Sequence, residues 1–300
     1  MTRSQLNAVS DLLQSSPLDL GGDVEKMRRV FDEMLGSAPL PDDVRTRTTE
    51  LGGVPAVELC AGAAAPTACT VLYFHGGAYA IGSAAASVGL ASEIARRAAA
   101  TALSVDYRLA PEHPFPAAVD DALAAYRALL DRGTPAGSVA VIGESAGGGL
   151  ALALLLAIRD AGLPQPSSAT VLSPWTDLTQ SGATMATRAK ADPALTRRAL
   201  QVRAADYLAG ADPRTPLASP IHADLRGLPP LLIQAGGREI LLDDALRLAT
   251  RAARADVAVT LQTFPGAPHV FQGFAPLVEE AAGALDHVAA FINSHVQPEG

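Results

Sequence analysis

Residues 143–147 read Gly-Glu-Ser-Ala-Gly, and a serine between two glycines in G-x-S-x-G spacing is a candidate nucleophile. Its flanks strengthen the pattern, because the apolar run SVAVI leads into it and the helical GGLALALLLAI follows at once. At such a strand-to-helix junction the glycines leave room for a sharp, strained turn that lifts the serine hydroxyl above the sheet edge. A hydroxyl is a weak nucleophile at neutral pH. Ser145 therefore needs a base within hydrogen-bond reach and a carboxylate that holds the base in the right tautomer. The chemistry open to such a set is attack on a carbonyl carbon and acyl transfer.

The partners must lie downstream, in the order serine, acid, histidine. His269, in FPGAPHVFQGF, follows the last β-like run VAVTLQTF and precedes the final helical stretch, where a base belongs. His287 and His295 fall on that last helix, His222 in a polar insert, and His113 in a proline-rich loop ahead of the serine. For the acid, Glu239 stands nearest the end of the run LPPLLIQAGG. Asp243 is the next candidate, although Asp243 and Asp244 also suit the first turn of the helix DDALRLATRAARA, whose N-terminus favours negative charge.

The stretch YFHGGAY at 73–79 ends an apolar run in a histidine and two glycines. Glycine lets the chain turn sharply, and it also bares backbone N–H groups. In acyl transfer such donors hold the oxyanion of the tetrahedral intermediate, each contributing about 2.7–4 kcal/mol. Gly76, Gly77 and Ala146, the residue after the serine, are the candidate donors. His75 reads as a residue that orders this loop rather than as a second base.

To position these groups, β-like runs alternate with helix-like ones from Val54 onward: AVELC, CTVLYFH, ATALSVDY, SVAVIGES, SATVLSPW, PPLLIQAGG and VAVTLQTF, with Ala/Leu-rich stretches between most of them. That alternation predicts an α/β fold, a mostly parallel sheet covered by helices. Gly133 and Gly162 stand where helix C-termini belong. Two segments fall outside the alternation. In residues 1–41, Val24, Met27, Val30, Phe31 and Met34 share a helical face. In residues 180–225, Asp192-Pro193 resembles a helix start, and both segments are predicted to pack over one end of the sheet.

Three hundred residues, 49% of them hydrophobic, suffice for one large unit, and no composition break divides the chain. With 23 Lys+Arg against 31 Asp+Glu the net charge is −8, without long runs, which argues against nucleic acid or an anionic membrane as partner and for a neutral small molecule. The start MTRSQLNAVSDLLQSS has no signal-peptide core, and GLALALLLAI is too short to span a bilayer, so a cytoplasmic location without membrane insertion is expected. Cys60 and Cys69 lack disulfide or zinc spacing and read as buried thiols. No metal or other cofactor is expected.

HGGAY at 75–79, VDYRLAPEHPFPAA at 105–118, GESAGGGLA at 143–151, SPWTDL at 173–178 and PLASPIHADLRGLPPLLIQAGGREILLDD at 216–244, with the histidine loop, resemble the bacterial hormone-sensitive-lipase-like esterases over nearly the whole chain. YRLAPEHPFPAA is the stretch most specific to that family. The resemblance implies an α/β-hydrolase fold with an eight-stranded sheet in one domain spanning residues 1–300, and a helical cap made from about 1–41 and 180–225. It implies carboxylic-ester hydrolysis by Ser145, His269 and Glu239, with Gly76, Gly77 and Ala146 as the oxyanion hole. The family's D-x-L-x-D-[DE] pattern aligns its first acid with Glu239, here glutamate in place of aspartate, and its third loop glycine is here Ala78. Tyr79, Trp175 and Val270 are candidate substrate contacts, Trp175 suiting a core position equally well. Tyr107, Arg108, Glu112 and Asp177 are expected to brace loops around the site, and Glu144 the serine turn. Short acyl esters are the expected substrates, lactones or N-acetyl amides the alternatives, and ligand binding without catalysis a remote one. Pairing of two copies through an edge strand, as in similar proteins, would give a homodimer.

Overall fold

In the run TVLYF at 70–74, Val71 and Tyr73 join one apolar cluster while Leu72 and Phe74 join another. Side chains of a strand alternate between faces, so a strand apolar at every position is one covered on both sides. A computed structural model describes residues 2–36, 40–61 and 69–296 and shows that arrangement throughout the central sheet. The chain runs α1 (Thr2–Gln14), α2 (Val24–Gly36), β1 (Val44–Leu51), β2 (Val54–Ala61), β3 (Thr70–Phe74), α3 (Val88–Ala98), β4 (Thr101–Val105), α4 (Ala117–Asp131), β5 (Val139–Glu144), α5 (Ala146–Asp160), β6 (Ser168–Leu172), α6 (Thr184–Thr187), α7 (Arg197–Leu208), β7 (Leu231–Gly236), α8 (Leu242–Arg254), β8 (Val259–Phe264) and α9 (Glu279–His295).

The eight strands form one sheet in the order β1-β2-β4-β3-β5-β6-β7-β8. The β1–β2 and β2–β4 pairs are antiparallel and every other pair is parallel, as the alternation predicts. Residues of α4, α5 and α8 bury one face, and those of α3 and α9, with Leu6 and Val9 of α1, the other. Helix α5 is buried at every position from Ala146 to Ile158, which accounts for its unbroken apolar run. Among the described residues no helix is long and apolar enough to cross a membrane. Because β4 and β5 flank β3 on opposite sides, the strand order reverses there. The loops after β3 and β5 thus border the crevice where open α/β sheets bind ligands.

Strand β1 is missing from the sequence-based reading because VRTRTTEL is polar and, at the sheet edge, mostly exposed. It pairs with β2 through a two-residue turn, Gly52-Gly53, with Leu51 opposite Val54 and both glycines at positive φ (62° and 85°). Gly133 and Gly162 follow α4 and α5 at positive φ, where they were expected.

Segments 1–41 and 180–225 meet: Ala199 packs beside Gly21, and Arg203 Nη2 donates to the Gly22 carbonyl at 3.3 Å. Residues 1 and 37–39 of the first segment lie outside the described residues. Met27 of α2 packs on Ala80 and Ile81 beyond the glycine loop. Asp192-Pro193 does not start a helix. Asp192 Oδ1 accepts the N–H groups of Ala194 and Leu195, closing a turn, and Thr196 is the N-cap of α7, its hydroxyl accepting from Ala199 N–H at 3.2 Å. Of the two cysteines, Cys69 is buried, its pKa pushed up to about 11 by burial, whereas Cys60 is only half-buried.

Candidate active site

Ser145 sits between β5 and α5 at φ 53°, ψ −119°, a region that non-glycine residues rarely occupy. The end of β6 holds it there: Ser145 N–H donates to Leu172 O at 2.9 Å, and Ser145 O accepts from Trp175 N–H at 2.9 Å. The flanking glycines are required by contact. A Cβ on Gly143 would stand 2.0 Å from Gly147 O, and one on Gly147 would stand 2.1 Å from Phe74 O.

The loop after β3 lies against this turn, since a Cβ on Gly76 would come within 3.3 Å of Ser145 Cβ. Gly77, Ala78 and Tyr79 all have positive φ, and a Cβ on Gly77 would collide with Ile81 O at 2.1 Å. Gly76 N–H donates to Glu144 Oε1 at 3.3 Å, a long bond that turns this expected oxyanion donor toward a buried carboxylate instead. Glu144 Oε1 also accepts from Tyr73 Oη at 2.8 Å, and burial raises the Glu144 pKa against these bonds. His75 is fully buried, stacked on Tyr107 at 4.3 Å, with Nδ1 2.7 Å from Gly76 O. Burial lowers its pKa, outweighing that carbonyl and the charge of Asp106. Tyr107 Oη in turn donates to His75 O at 2.7 Å.

The loops after β7 and β8 bring Glu239 and His269 to the serine. His269 Nε2 is 2.9 Å from Ser145 Oγ, and Nδ1 is 2.5 Å from Glu239 Oε2. Glu239 is fully buried, and its Oε1 accepts from Gly236 N–H at 2.6 Å and Ser173 Oγ at 3.0 Å. For His269 burial acts to lower the pKa, but the hydrogen bond and charge of Glu239 outweigh it and leave the pKa above its ordinary 6.5. Asp243 points elsewhere. Its Oδ2 accepts from Thr184 N–H at 3.1 Å, while Asp244 Oδ2 accepts from the N–H groups of Thr176 and Asp177. Burial pushes the Asp244 carboxyl up to about 7.

Tyr79 and Trp175 border the site but are buried, Tyr79 stacked on Tyr207 of α7 at 3.8 Å, and Val270 is half-buried at φ 49°. Arg108 grips Asp121 in a fork, and Asp177 accepts from Thr179, Ser181 and Arg247. Glu112 pairs with Arg28 of α2, which also donates to Ala80 O and Ala110 O and so ties α2 to both loops. Sequence reasoning missed Arg28 and Ser173. Ser173 Oγ donates to Glu239 and accepts from Val270 N–H at 3.1 Å, linking the acid and histidine loops. Its place in SPWTDL was the available signal. Among the described residues no group of three or more His, Cys, Asp or Glu side chains is arranged to hold a metal ion.

Residues 71–273 match a family described by its α/β-hydrolase fold. The chain is 42% identical over 301 residues to an acetyl-hydrolase of Streptomyces hygroscopicus, covering 98% of each chain. It is 37% identical over 269 residues to an esterase of Acinetobacter venetianus, covering 89% of this chain and 88% of the relative. A crystal structure of an esterase from the bacterial hormone-sensitive lipase family superposes with a TM-score of 0.94 at 42% identity, covering 98% of this chain and 99% of that one.

Proposed function

Because this chain is a serine carboxylesterase of the bacterial hormone-sensitive-lipase family, built on the α/β-hydrolase fold, we propose that it hydrolyses short-chain acyl esters through an acyl-enzyme on Ser145. The observation that carries this reading is the unbroken line Ser145 Oγ, His269 Nε2, His269 Nδ1, Glu239 Oε2, with spacings of 2.9 and 2.5 Å at its two hydrogen bonds. Ser145 attacks the ester carbonyl as His269 Nε2 takes its proton. The imidazolium so formed faces the Glu239 carboxylate, which also keeps the neutral ring protonated on Nδ1 and its Nε2 lone pair toward the serine. The oxyanion is held by the N–H groups of Gly77 and Ala146, while Gly76 N–H is taken by Glu144. Collapse expels the alcohol with the proton from His269. His269 then deprotonates a water that attacks the acyl-enzyme and releases the acid.

Segments 1–41 and 180–225 form the cap in this reading. Arg28 fastens one to the glycine loop, and Tyr207 carries the other onto Tyr79. Tyr79, Trp175 and Tyr207 fill the interior beside Ser145, which supports a small acyl pocket lined by Tyr79, Trp175 and Val270. The acetyl-hydrolase relative favours a second reading, in which an acetyl group on an amide is the physiological target. The test is turnover of p-nitrophenyl acetate, butyrate, octanoate and laurate, beside an N-acetyl arylamide, by wild type and Ser145→Ala. Fast acetate and butyrate turnover that vanishes in Ser145→Ala upholds the proposal. Laurate as the best ester refutes the short-chain preference, the arylamide as the best substrate favours the second reading, and an inert wild type leaves ligand binding.

A further inference from the structure

Arg3 of α1, Arg188 after α6 and Arg238 after β7 converge on a cleft of about 510 Å³ that Ser145 does not line. Leu6, Leu242 and Leu246 form its apolar side. No ion pair joins any of the three arginines to a carboxylate among the described residues. Carboxylates close in sequence to Arg188 and Arg238 are engaged elsewhere. Asp192 Oδ1 takes Ala194 and Leu195 N–H, and its Oδ2 takes Ile240 N–H at 2.8 Å. Glu239 is held by Gly236, Ser173 and His269, and Asp243 by Thr184 N–H. The protein thus gathers three cations at a concave, partly apolar surface whose lining residues include no carboxylate.

We propose that this cleft is a second binding site, separate from Ser145, for an organic carboxylate with a short aliphatic body. Guanidinium groups match a carboxylate in paired hydrogen bonds. The leucines supply the apolar contact that an inorganic anion would leave unused. Arg238 is already positioned, its N–H bonded to Ala267 O at 3.0 Å and its Nη1 donating to Ser10 Oγ at 2.9 Å. Arg3 and Arg188, also lining the cleft, are exposed and supply further charge.

The experiment is calorimetric titration of Ser145→Ala with sodium hexanoate, hexanamide and inorganic phosphate, repeated in Arg3→Gln/Arg188→Gln and Arg3→Lys/Arg188→Lys made in the same background. Using Ser145→Ala keeps the outcome independent of ester hydrolysis. Hexanoate is expected to bind about tenfold tighter than hexanamide, to lose about tenfold in the glutamine pair, to recover in the lysine pair, and to weaken with added salt. Equal binding of hexanamide, or hexanoate affinity unchanged in the glutamine pair, overturns the site. Phosphate binding as tightly as hexanoate overturns the aliphatic specificity. Both substituted arginines being exposed, the folded state is expected to survive, as the lysine pair checks directly.

Discussion

Replacing Glu239 by glutamine preserves size and changes what faces the imidazole. The Glu239 carboxylate accepts three hydrogen bonds, from Gly236 N–H at 2.6 Å, Ser173 Oγ at 3.0 Å and His269 Nδ1 at 2.5 Å. A glutamine has one acceptor oxygen, and Gly236 and Ser173 together claim it. Its amide NH2 then meets Nδ1, which must present a lone pair, so the ring proton moves to Nε2, 2.9 Å from Ser145 Oγ. A protonated Nε2 cannot take the serine proton. In the chymotrypsin-type triad the equivalent exchange lowers kcat about 10⁴-fold, or roughly 5.5 kcal/mol of transition-state stabilisation. We expect a loss of that order here, with KM changed little. Wild type and Glu239→Gln would be compared on p-nitrophenyl butyrate from pH 5 to 9. Because Glu239 raises the His269 pKa and the base works only when neutral, wild-type kcat/KM is expected to fall as pH drops through a value above 6.5. Any residual activity in the variant should persist to lower pH. A Glu239→Gln enzyme within tenfold of wild type, or an Asp243→Asn enzyme crippled in its place, would refute the assignment.

Ser173→Ala removes a donor to a buried carboxylate and should cost about 1.5–3 kcal/mol in urea unfolding with a lower kcat; unchanged stability and rate would show that Ser173 merely fills space. Gly77→Ala sets a Cβ against Ile81 O at φ 109°, so a folded variant should lose at least the 10²–10³-fold in kcat typical of one oxyanion donor, about 2.7–4 kcal/mol. Arg28→Met releases α2 from the loops and should raise KM and open residues 15–36 to proteolysis. The hydrogen bond from Arg28 holds the Glu112 pKa at about 2 against an ordinary 4.5. The stabilisation from this pair is therefore complete above 4.5 and fades toward pH 2, so the melting-temperature gap between wild type and Arg28→Met should narrow over that range.

Much of the site is local in sequence and so was legible there. G-E-S-A-G reads as a turn because its glycines meet the backbone of their own elbow and of β3, and the H-G-G loop reads as a donor loop because only glycine takes Gly77's conformation without strain. Buried strands read as continuous apolar runs because helices cover both faces. Strand β1 escaped that pattern, since an exposed edge strand carries no apolar signal, although Gly52-Gly53 marked its hairpin. Residue types and order thus singled out the proposed nucleophile, base and donor loop, and determined the layered sheet. Tertiary structure alone separated Glu239 from Asp243 by geometry, because both follow β7 within seven residues and only the path of that loop turns one toward His269 and the other toward Thr184. It alone revealed Ser173 and Arg28, whose partners lie 66 and 84 residues away, and it alone gathered Arg3, Arg188 and Arg238 into one cleft. Such contacts depend on how distant loops fold back over the sheet, which no local spacing encodes.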